Sequence, residues 1–172
     1  SCLLRFYPSA TILQQRADYL RAEHWTIFGE NYQALEQPAP NPSMHALVRY
    51  YSASNGDHWI TSSYDVNFYS PYVVEQTLGY VYDQQQPGTH ALYTCVTADG
   101  HHFSSLKATC VGGSYLRTEG WLLDKNTAGA QDVSLYSCVV TGDTKNDFDS
   151  SLPTCEGQTS IGLLGYTLAQ PS

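Results

Sequence analysis

Short runs of apolar and β-branched residues, each bounded by turn-forming residues, follow one another along most of the chain. Residues 46–52, 58–63 and 78–83 show the pattern best, because they are rich in Val, Tyr, Leu, Ile or Thr. The first two runs are separated by Asn55-Gly56, a pair that favours a tight turn because glycine, and asparagine better than most residues, accepts positive φ. Runs of this length and composition are typical of strands. The pattern predicts an all-β protein.

One stretch departs from this pattern. Residues 11–22 read TILQQRADYLRA, with Ile12, Leu13, Tyr19 and Leu20 spaced among Gln and Arg. Such spacing indicates a short amphipathic helix.

The chain also repeats itself. Segments that begin with a leucine recur at offsets of 44, 45 and 43 residues, at Leu3, Leu47, Leu92 and Leu135. A second, aromatic anchor follows about 30 residues later in the approximate register of each copy, at Tyr32, Tyr80, Trp121 and Tyr166. The last three aromatic anchors are each preceded by glycine. The sequence therefore predicts a single domain, residues 1–172, of four repeats: a divergent copy at 1–44, then 45–89, 90–132 and 133–172.

Repeats of this size suggest two pseudo-symmetric architectures. Units of about 40 to 45 residues with up to four strands each are typical of β-propellers. Four copies favour a four-bladed, propeller-like ring. A β-trefoil is the alternative, since the three better-matched copies would supply its three units and leave residues 1–44 as an added segment.

Four of the five cysteines form two similarly spaced pairs, Cys95 with Cys110 and Cys138 with Cys155. The spacing predicts two local disulfides, which are common in small extracellular proteins. Four reduced, buried thiols in a cytosolic protein are the alternative. Cys2 is left over, and it could be a free thiol, a link to a second chain in a homodimer, or the partner of a cysteine further upstream.

Charge restricts the choice of partners. Sixteen acidic residues against eight basic residues give a formal net charge of -8, which repels nucleic acid and anionic membranes. No apolar run approaches the roughly 20 residues that a membrane-spanning helix needs, so we expect no membrane insertion. Fourteen tyrosines and few charged residues suit a surface that contacts neutral polar ligands.

Motifs of the second copy resemble a known family. Leu-x-Arg-x-Tyr at 47–51, Gly-Asp-His-Trp at 56–59, Gly79-Tyr80 and Pro87-Gly88 resemble a secreted tandem-repeat domain of unknown function, whose copies read like YRFYN, GDHF and GYVY. Such repeats are often attached to extracellular hydrolases, so the resemblance implies an accessory or binding role. Copies three and four resemble the cysteine-bearing variety. Copy four departs from the pattern, because Asp147 stands where a histidine is expected.

Two polar-aromatic clusters are candidate ligand contacts. Asp57-His58-Trp59 and His101-His102 combine carboxylate or imidazole groups with a neighbouring aromatic ring, the combination that a carbohydrate pocket needs. Residues that break the repeat, Asp147 and Asp149, are further candidates. The alternative is that recurring residues serve the fold, with the histidines bonded to neighbouring backbone and the aromatic rings in the core.

Metal binding and catalysis are both disfavoured. Adjacent His101 and His102 would point to opposite faces of a strand and could not readily share one ion. The aspartates at 143, 147 and 149 lack the glycine and terminal glutamate of an EF-hand loop. HExxH, GxSxG and phosphate-binding glycine loops do not occur in the sequence, so we expect no metal, no cofactor and no enzymatic activity.

Together these observations predict a secreted, non-catalytic, lectin-like protein that binds glycans or glycoproteins through several similar shallow sites. The alternative is a protein-interaction or inhibitor module that uses the divergent N-terminal copy.

Overall fold

The computed structural model describes residues 42–68, 71–126 and 132–169. The chain divides into two parts between Asn41 and Pro42, and every described residue belongs to the second part. The predicted helix at 11–22, Cys2 and nearly all of the divergent first copy therefore lie outside the described residues.

The described part is all-β, as predicted. Nine antiparallel strands follow in the order β1 (Met44–Ser52), β2 (Asp57–Thr61), β3 (Val73–Tyr82), β4 (Thr89–Val96), β5 (His102–Ser105), β6 (Ser114–Leu123), β7 (Asp132–Val140), β8 (Asp143–Ser150) and β9 (Thr159–Leu168). Short 3₁₀ helices occupy Tyr64–Phe68 and Cys155–Gly157. The predicted turn lies between β1 and β2, where Gly56 has a φ of 60°. Within the described ranges, no helix is long and apolar enough to cross a membrane.

The strands form three units with one layout, which we call the first (β1–β3), second (β4–β6) and third (β7–β9) units. In each unit the first strand pairs with both of the others. The pairing with the third strand shifts register directly after Leu47, Leu92 and Leu135, the leucine anchors of the sequence pattern. The three units can therefore be compared position by position.

Each leucine anchor pairs with the glycine of the second anchor, Leu47 with Gly79 for example. Gly79, Gly120 and Gly165 all have positive φ, and a Cβ atom at each would overlap an atom of another unit. At Gly79 that atom is the Thr167 hydroxyl. The glycines are needed because a neighbouring unit approaches closely at each of them, through β9 at Gly79, β3 at Gly120 and His90 of β4 at Gly165.

The units contact one another through equivalent strands, third strand to third strand and second strand to second strand. Single bridges join β3 to β6, β6 to β9 and β3 to β9, and β2, β5 and β8 also contact one another. The core is built from leucines with no exposed surface, Leu47, Leu92, Leu122 and Leu135. The propeller-like ring and the trefoil both stay predictions.

Two disulfides, Cys95–Cys110 and Cys138–Cys155, confirm the predicted pairs, each with its Cα atoms 5.8 Å apart. They occupy equivalent places in the second and third units. Tyr50 takes the place of the first cysteine in the first unit, because Tyr50, Cys95 and Cys138 pair with Trp59, Phe103 and Phe148 of their own units.

Candidate functional site

All seven predicted ligand contacts lie on or beside the second strand of a unit. Asp57, His58 and Trp59 are in β2, His101 precedes β5, His102 begins it, and Asp147 and Asp149 are in β8. Since β2, β5 and β8 contact one another, the fold gathers side chains from three distant parts of the chain. These side chains mostly contact side chains of a neighbouring unit.

Asp57 joins the first unit to the second. Its Oδ1 accepts the backbone N–H of His102 at 2.8 Å, and its Oδ2 lies 2.6 Å from His102 Nδ1. The Tyr72 hydroxyl also donates to Oδ2, at 2.6 Å. Burial, reinforced by this bond to Asp57, raises the pKa of Tyr72. Only 1% of the Asp57 surface is exposed, so Asp57 joins the two units through buried hydrogen bonds.

His58 makes the corresponding contact between the first and third units. His58 in β2 is equivalent to His102 in β5. Each directly precedes the aromatic residue, Trp59 or Phe103, that pairs with the first strand of its unit. His58 Nδ1 lies 2.6 Å from Asn146 Oδ1 of β8. Its Nε2 lies 3.2 Å from Glu75 Oε1. The Asp-His motif therefore links neighbouring units through side chains 45 and 88 residues apart.

The aromatic rings of the predicted clusters pack against side chains of the protein. Trp59 stacks on His102 with ring centroids 4.1 Å apart, and Tyr72 meets Trp59 edge-on. Phe148 lies 5.3 Å from the His58 ring. Trp59 and Phe148 thus each contact an imidazole group, and a ligand contact at Trp59 stays a prediction.

Asp149 and Asp147 are buried to different degrees. Asp149 is 1% exposed, and burial raises its pKa to about 7, against the opposing hydrogen bond from Ser104 and with a further contribution from the charge of Asp147. Burial also raises the pKa of Asp147 to about 6, assisted by the charge of Asp57 and opposed by His101. Asp149 is thus a buried acid that favours its protonated form.

A further buried carboxylate, Glu119, was not predicted. It precedes Gly120, where the other two units have Leu78 and Leu164 before their glycines. Its Oε1 accepts the Thr61 hydroxyl and the Ser62 N–H, both at 2.8 Å. Only 2% of its surface is exposed. Among the three described units, the charged Glu119 in place of Leu78 and Leu164 was the signal that could have revealed it.

A pocket of about 200 Å³ lies between the first and third units, next to these contacts. Its lining residues are Arg49, His58 and Glu75 from the first unit and Val140, Phe148, Glu156 and Gln158 from the third. Two other described hollows, beside Gly79 and beside Val74, have no charged lining residue. Of these three hollows, the pocket between the first and third units is the one suited to recognising a polar ligand.

Arg49 holds the pocket together. Its Nε donates to Glu75 Oε1 and its Nη1 to Glu156 Oε2, both at 2.8 Å. Nη1 also donates to the Asp149 carbonyl at 2.9 Å, and the guanidinium carbon lies 5.4 Å from the Phe148 ring centroid. Burial works against the charge of Arg49, but the bonds and charges of Glu156 and Glu75 outweigh it and raise its pKa. Arg49 is therefore a fixed, fully ionised frame for the two carboxylates.

Glu156 enters the pocket from a strained turn beside a disulfide. Cys155 and Glu156 both have positive φ, 52° and 56°, and Cys155 is bonded to Cys138. The hydrogen bond from Arg49 lowers the pKa of Glu156, against the effect of burial and with help from Ser150. The disulfide thus anchors a carboxylate that faces the pocket.

The predictions included only His58 among the residues that line this pocket. Arg49 belongs to the Leu-x-Arg-x-Tyr motif. The equivalent residues of the other two units are Thr94 and Ser137, and this difference could have marked Arg49 as a candidate site residue. Glu75 and Glu156 gave no signal, since their roles depend on contacts with Arg49 across 26 and 107 residues.

Metal ligation was predicted to be absent. Among the described residues, no group of three or more His, Cys, Asp or Glu side chains could hold a metal ion. No protein-family model, curated protein or solved structure matches the chain. The family resemblance therefore stays a prediction.

Proposed function

We propose that this protein is a non-catalytic, secreted, lectin-like protein, and that it binds a saccharide in the pocket between the first and third units. The observation that carries the proposal is the lining of this pocket: two partly exposed carboxylates held in place by a buried arginine, with the Gln158 amide beside them. Fixed acceptors and donors around a small hollow are what recognition of sugar hydroxyls requires. Preorganisation by Arg49 reduces the entropy lost when a ligand binds.

The proposal concerns one pocket rather than several similar ones. Position by position, Arg49 corresponds to Thr94 and Ser137. In the second unit the Thr94 hydroxyl lies within hydrogen-bond distance of both the Ile60 carbonyl and Glu119 Oε2, and Arg49 donates to the Asp149 carbonyl. The backbone contact between units is thus retained, whereas the charged lining belongs to one boundary.

The test is glycan-array binding by the wild type and by Glu75→Ala. We expect Glu75→Ala to lose binding, because it removes a carboxylate whose side chain is 31% exposed in the pocket. Asp83→Ala is the matched control, since Asp83 is also paired with a histidine, His45, and its side chain is 33% exposed. Circular dichroism and thermal melting would check that both variants fold. Equal loss in both variants, or no binding of any glycan by the wild type, would refute the proposal.

Secretion is part of the same proposal. Two disulfides support it, because such bonds persist mainly in oxidising compartments. Fractionation of culture medium and cell lysate after expression from the full-length gene in its source cells would test it.

A protein-interaction module is the second candidate, and exposed apolar residues on the third strands favour it. Val73 and Val74 of β3, Tyr115 of β6, and Ile161 and Leu163 of β9 are 45% to 62% exposed. If these residues contact a protein partner, Ile161→Thr should weaken that association and leave glycan binding unchanged. The contribution of the divergent first copy concerns residues outside the described ranges.

We also propose that the three units are copies of one repeat arranged with pseudo-threefold symmetry. Their common strand order, the register shifts after the leucine anchors and the glycines opposite those anchors support this arrangement. Experimental coordinates in which a rotation of about 120° fails to superpose the units would contradict it.

A further inference from the structure

The pocket between the first and third units contains an arginine, yet that arginine has no donor left for a ligand. A guanidinium has five N–H groups. The five contacts of Arg49 are Nε to Glu75, Nη1 to the Asp149 carbonyl and Glu156 Oε2, and Nη2 to Gln76 Oε1 and Glu156 Oε1, at 2.8 to 3.4 Å. An incoming carboxylate, sulfate or phosphate would have to break one of these contacts before it could bind Arg49.

Hydrogen-bond acceptors, by contrast, remain available. Glu75 accepts Arg49 Nε on Oε1, and His58 Nε2 lies 3.2 Å from the same oxygen; within the described residues Glu75 Oε2 has no hydrogen bond. Glu156 Oε1 receives only the long contact of 3.3 Å from Arg49. The Gln158 amide oxygen accepts the Thr141 N–H, which leaves its NH₂ group as a donor toward a ligand hydroxyl.

The charges of the lining also favour a cationic ligand over an anionic one. Arg49, Glu75 and Glu156 together contribute a net charge of -1 to the lining. The whole chain carries -8. Both the local charge and the overall charge therefore attract cations and repel anions.

The size of the pocket limits the ligand. About 200 Å³ is below the roughly 300 to 1,000 Å³ of pockets that enclose drug-sized ligands. A single sugar ring is therefore the largest group that we expect to enter it, with any further rings of an oligosaccharide outside.

From these observations, and resting on the proposed saccharide-binding function, we propose that the pocket selects a sugar bearing a free amine. The ammonium group lies between Glu75 and Glu156, and the ring hydroxyls contact Gln158. Acetylation of the amine removes the charge and adds an acyl group, so the acetylated sugar binds more weakly. Uronic and sulfated sugars are excluded because Arg49 has no free donor.

The experiment is isothermal titration of the full chain at pH 6.5 with four probes: a glucosamine trimer, an N-acetylglucosamine trimer, a glucuronate-containing trimer, and 1,4-diaminobutane as an amine without a sugar. We expect the glucosamine trimer to bind about tenfold or more tightly than the acetylated one, as a charged hydrogen bond typically contributes. The diamine should bind more weakly than the glucosamine trimer because it lacks the ring hydroxyls. The glucuronate-containing trimer should not bind.

A variant then assigns the preference to the pocket. Glu75→Gln keeps the shape of the side chain and removes its charge, so the difference between the amine and its acetylated form should fall by most of its tenfold value. Asp83→Asn, which removes a similarly exposed carboxylate elsewhere, should keep the full preference. If Glu75→Gln does not fold, the wild-type comparison still decides the proposal.

The other outcomes separate this inference from the proposed function. Equal or tighter binding of the acetylated or glucuronate-containing trimer would overturn the amine preference and leave saccharide binding intact. Binding of the diamine as tight as that of the glucosamine trimer would overturn the sugar component. No binding of any probe, together with an empty glycan array, would overturn both proposals.

Discussion

Burial of Asp149 predicts that the protein is more stable in mild acid than at alkaline pH. Its carboxyl group has a pKa of about 7 in the folded protein, against a model value of 3.8. Between these two values the folded protein retains a proton that the unfolded chain has lost. The contribution of Asp149 to the free energy of unfolding is therefore fully present below about pH 4 and is lost as the pH rises through about 7.

The size of the effect follows from the pKa difference. Each pH unit in this interval costs about 1.4 kcal/mol for one proton, so a difference of about three units corresponds to roughly 4 kcal/mol in all. About 3 kcal/mol of this falls between pH 5 and pH 8. Asp147, whose pKa is raised to about 6, acts in the same direction but is less buried, so solvent screening reduces its share.

The perturbation is Asp149→Asn, measured by urea unfolding at pH 5 and pH 8 with the disulfides intact. Asparagine is neutral at both pH values, and its amide oxygen can still accept the Ser104 hydroxyl that now bonds Asp149. The variant should lose most of the pH dependence and exceed the wild type in stability at pH 8. At pH 5, where Asp149 is protonated, the two proteins should differ little.

Asp143→Asn is the control, because Asp143 is exposed on the same strand. It removes one carboxylate without changing a buried group, so the wild-type pH dependence should remain. The reasoning is refuted if wild-type stability is flat or rises between pH 5 and pH 8. It is equally refuted if Asp149→Asn keeps the wild-type slope.

Two further changes separate structural roles. Glu119→Leu gives the second unit the leucine of the other two, but it removes the acceptor for a buried hydroxyl and a backbone N–H. In urea, the free energy of unfolding should fall by about 1 to 3 kcal/mol, and a more stable variant would contradict the assigned role. Replacing both cysteines of either disulfide with Ala should cost about 3 kcal/mol, but only loss of Cys138–Cys155 should also weaken glycan binding, because Cys155 precedes the pocket carboxylate at 156. Equal binding losses for this pair and for Cys95–Cys110 would contradict that distinction.

Local features of the fold were predictable because they depend on neighbouring residues. Turn-bounded apolar runs predicted the strands, although β3 begins at Val73, before the predicted run at 78–83. Cysteines 15 and 17 residues apart predicted the two disulfides. The leucine and glycine anchors mark residues that pair directly in each unit, such as Leu47 with Gly79.

The candidate site was harder to predict because its contacts join residues far apart in sequence. The run Asp57-His58-Trp59 suggested one local cluster, but successive side chains on a strand point to opposite faces. In the structure Asp57 bonds His102, whereas His58 contacts Asn146 and Glu75. Neighbouring residues in the motif therefore serve different unit boundaries, and no pattern in the sequence specifies which boundary each one faces.

The same comparison explains how three units of one strand layout can have one distinctive pocket. At one boundary the short side chain of Thr94 contacts the Ile60 carbonyl and the Glu119 carboxylate. At another, Arg49 donates to the Asp149 carbonyl, and its longer, charged side chain also needs acceptors. Glu75 and Glu156 supply these acceptors, and their remaining oxygens line the pocket. The charged lining thus depends on an arginine at the position where the other two units have Thr94 and Ser137.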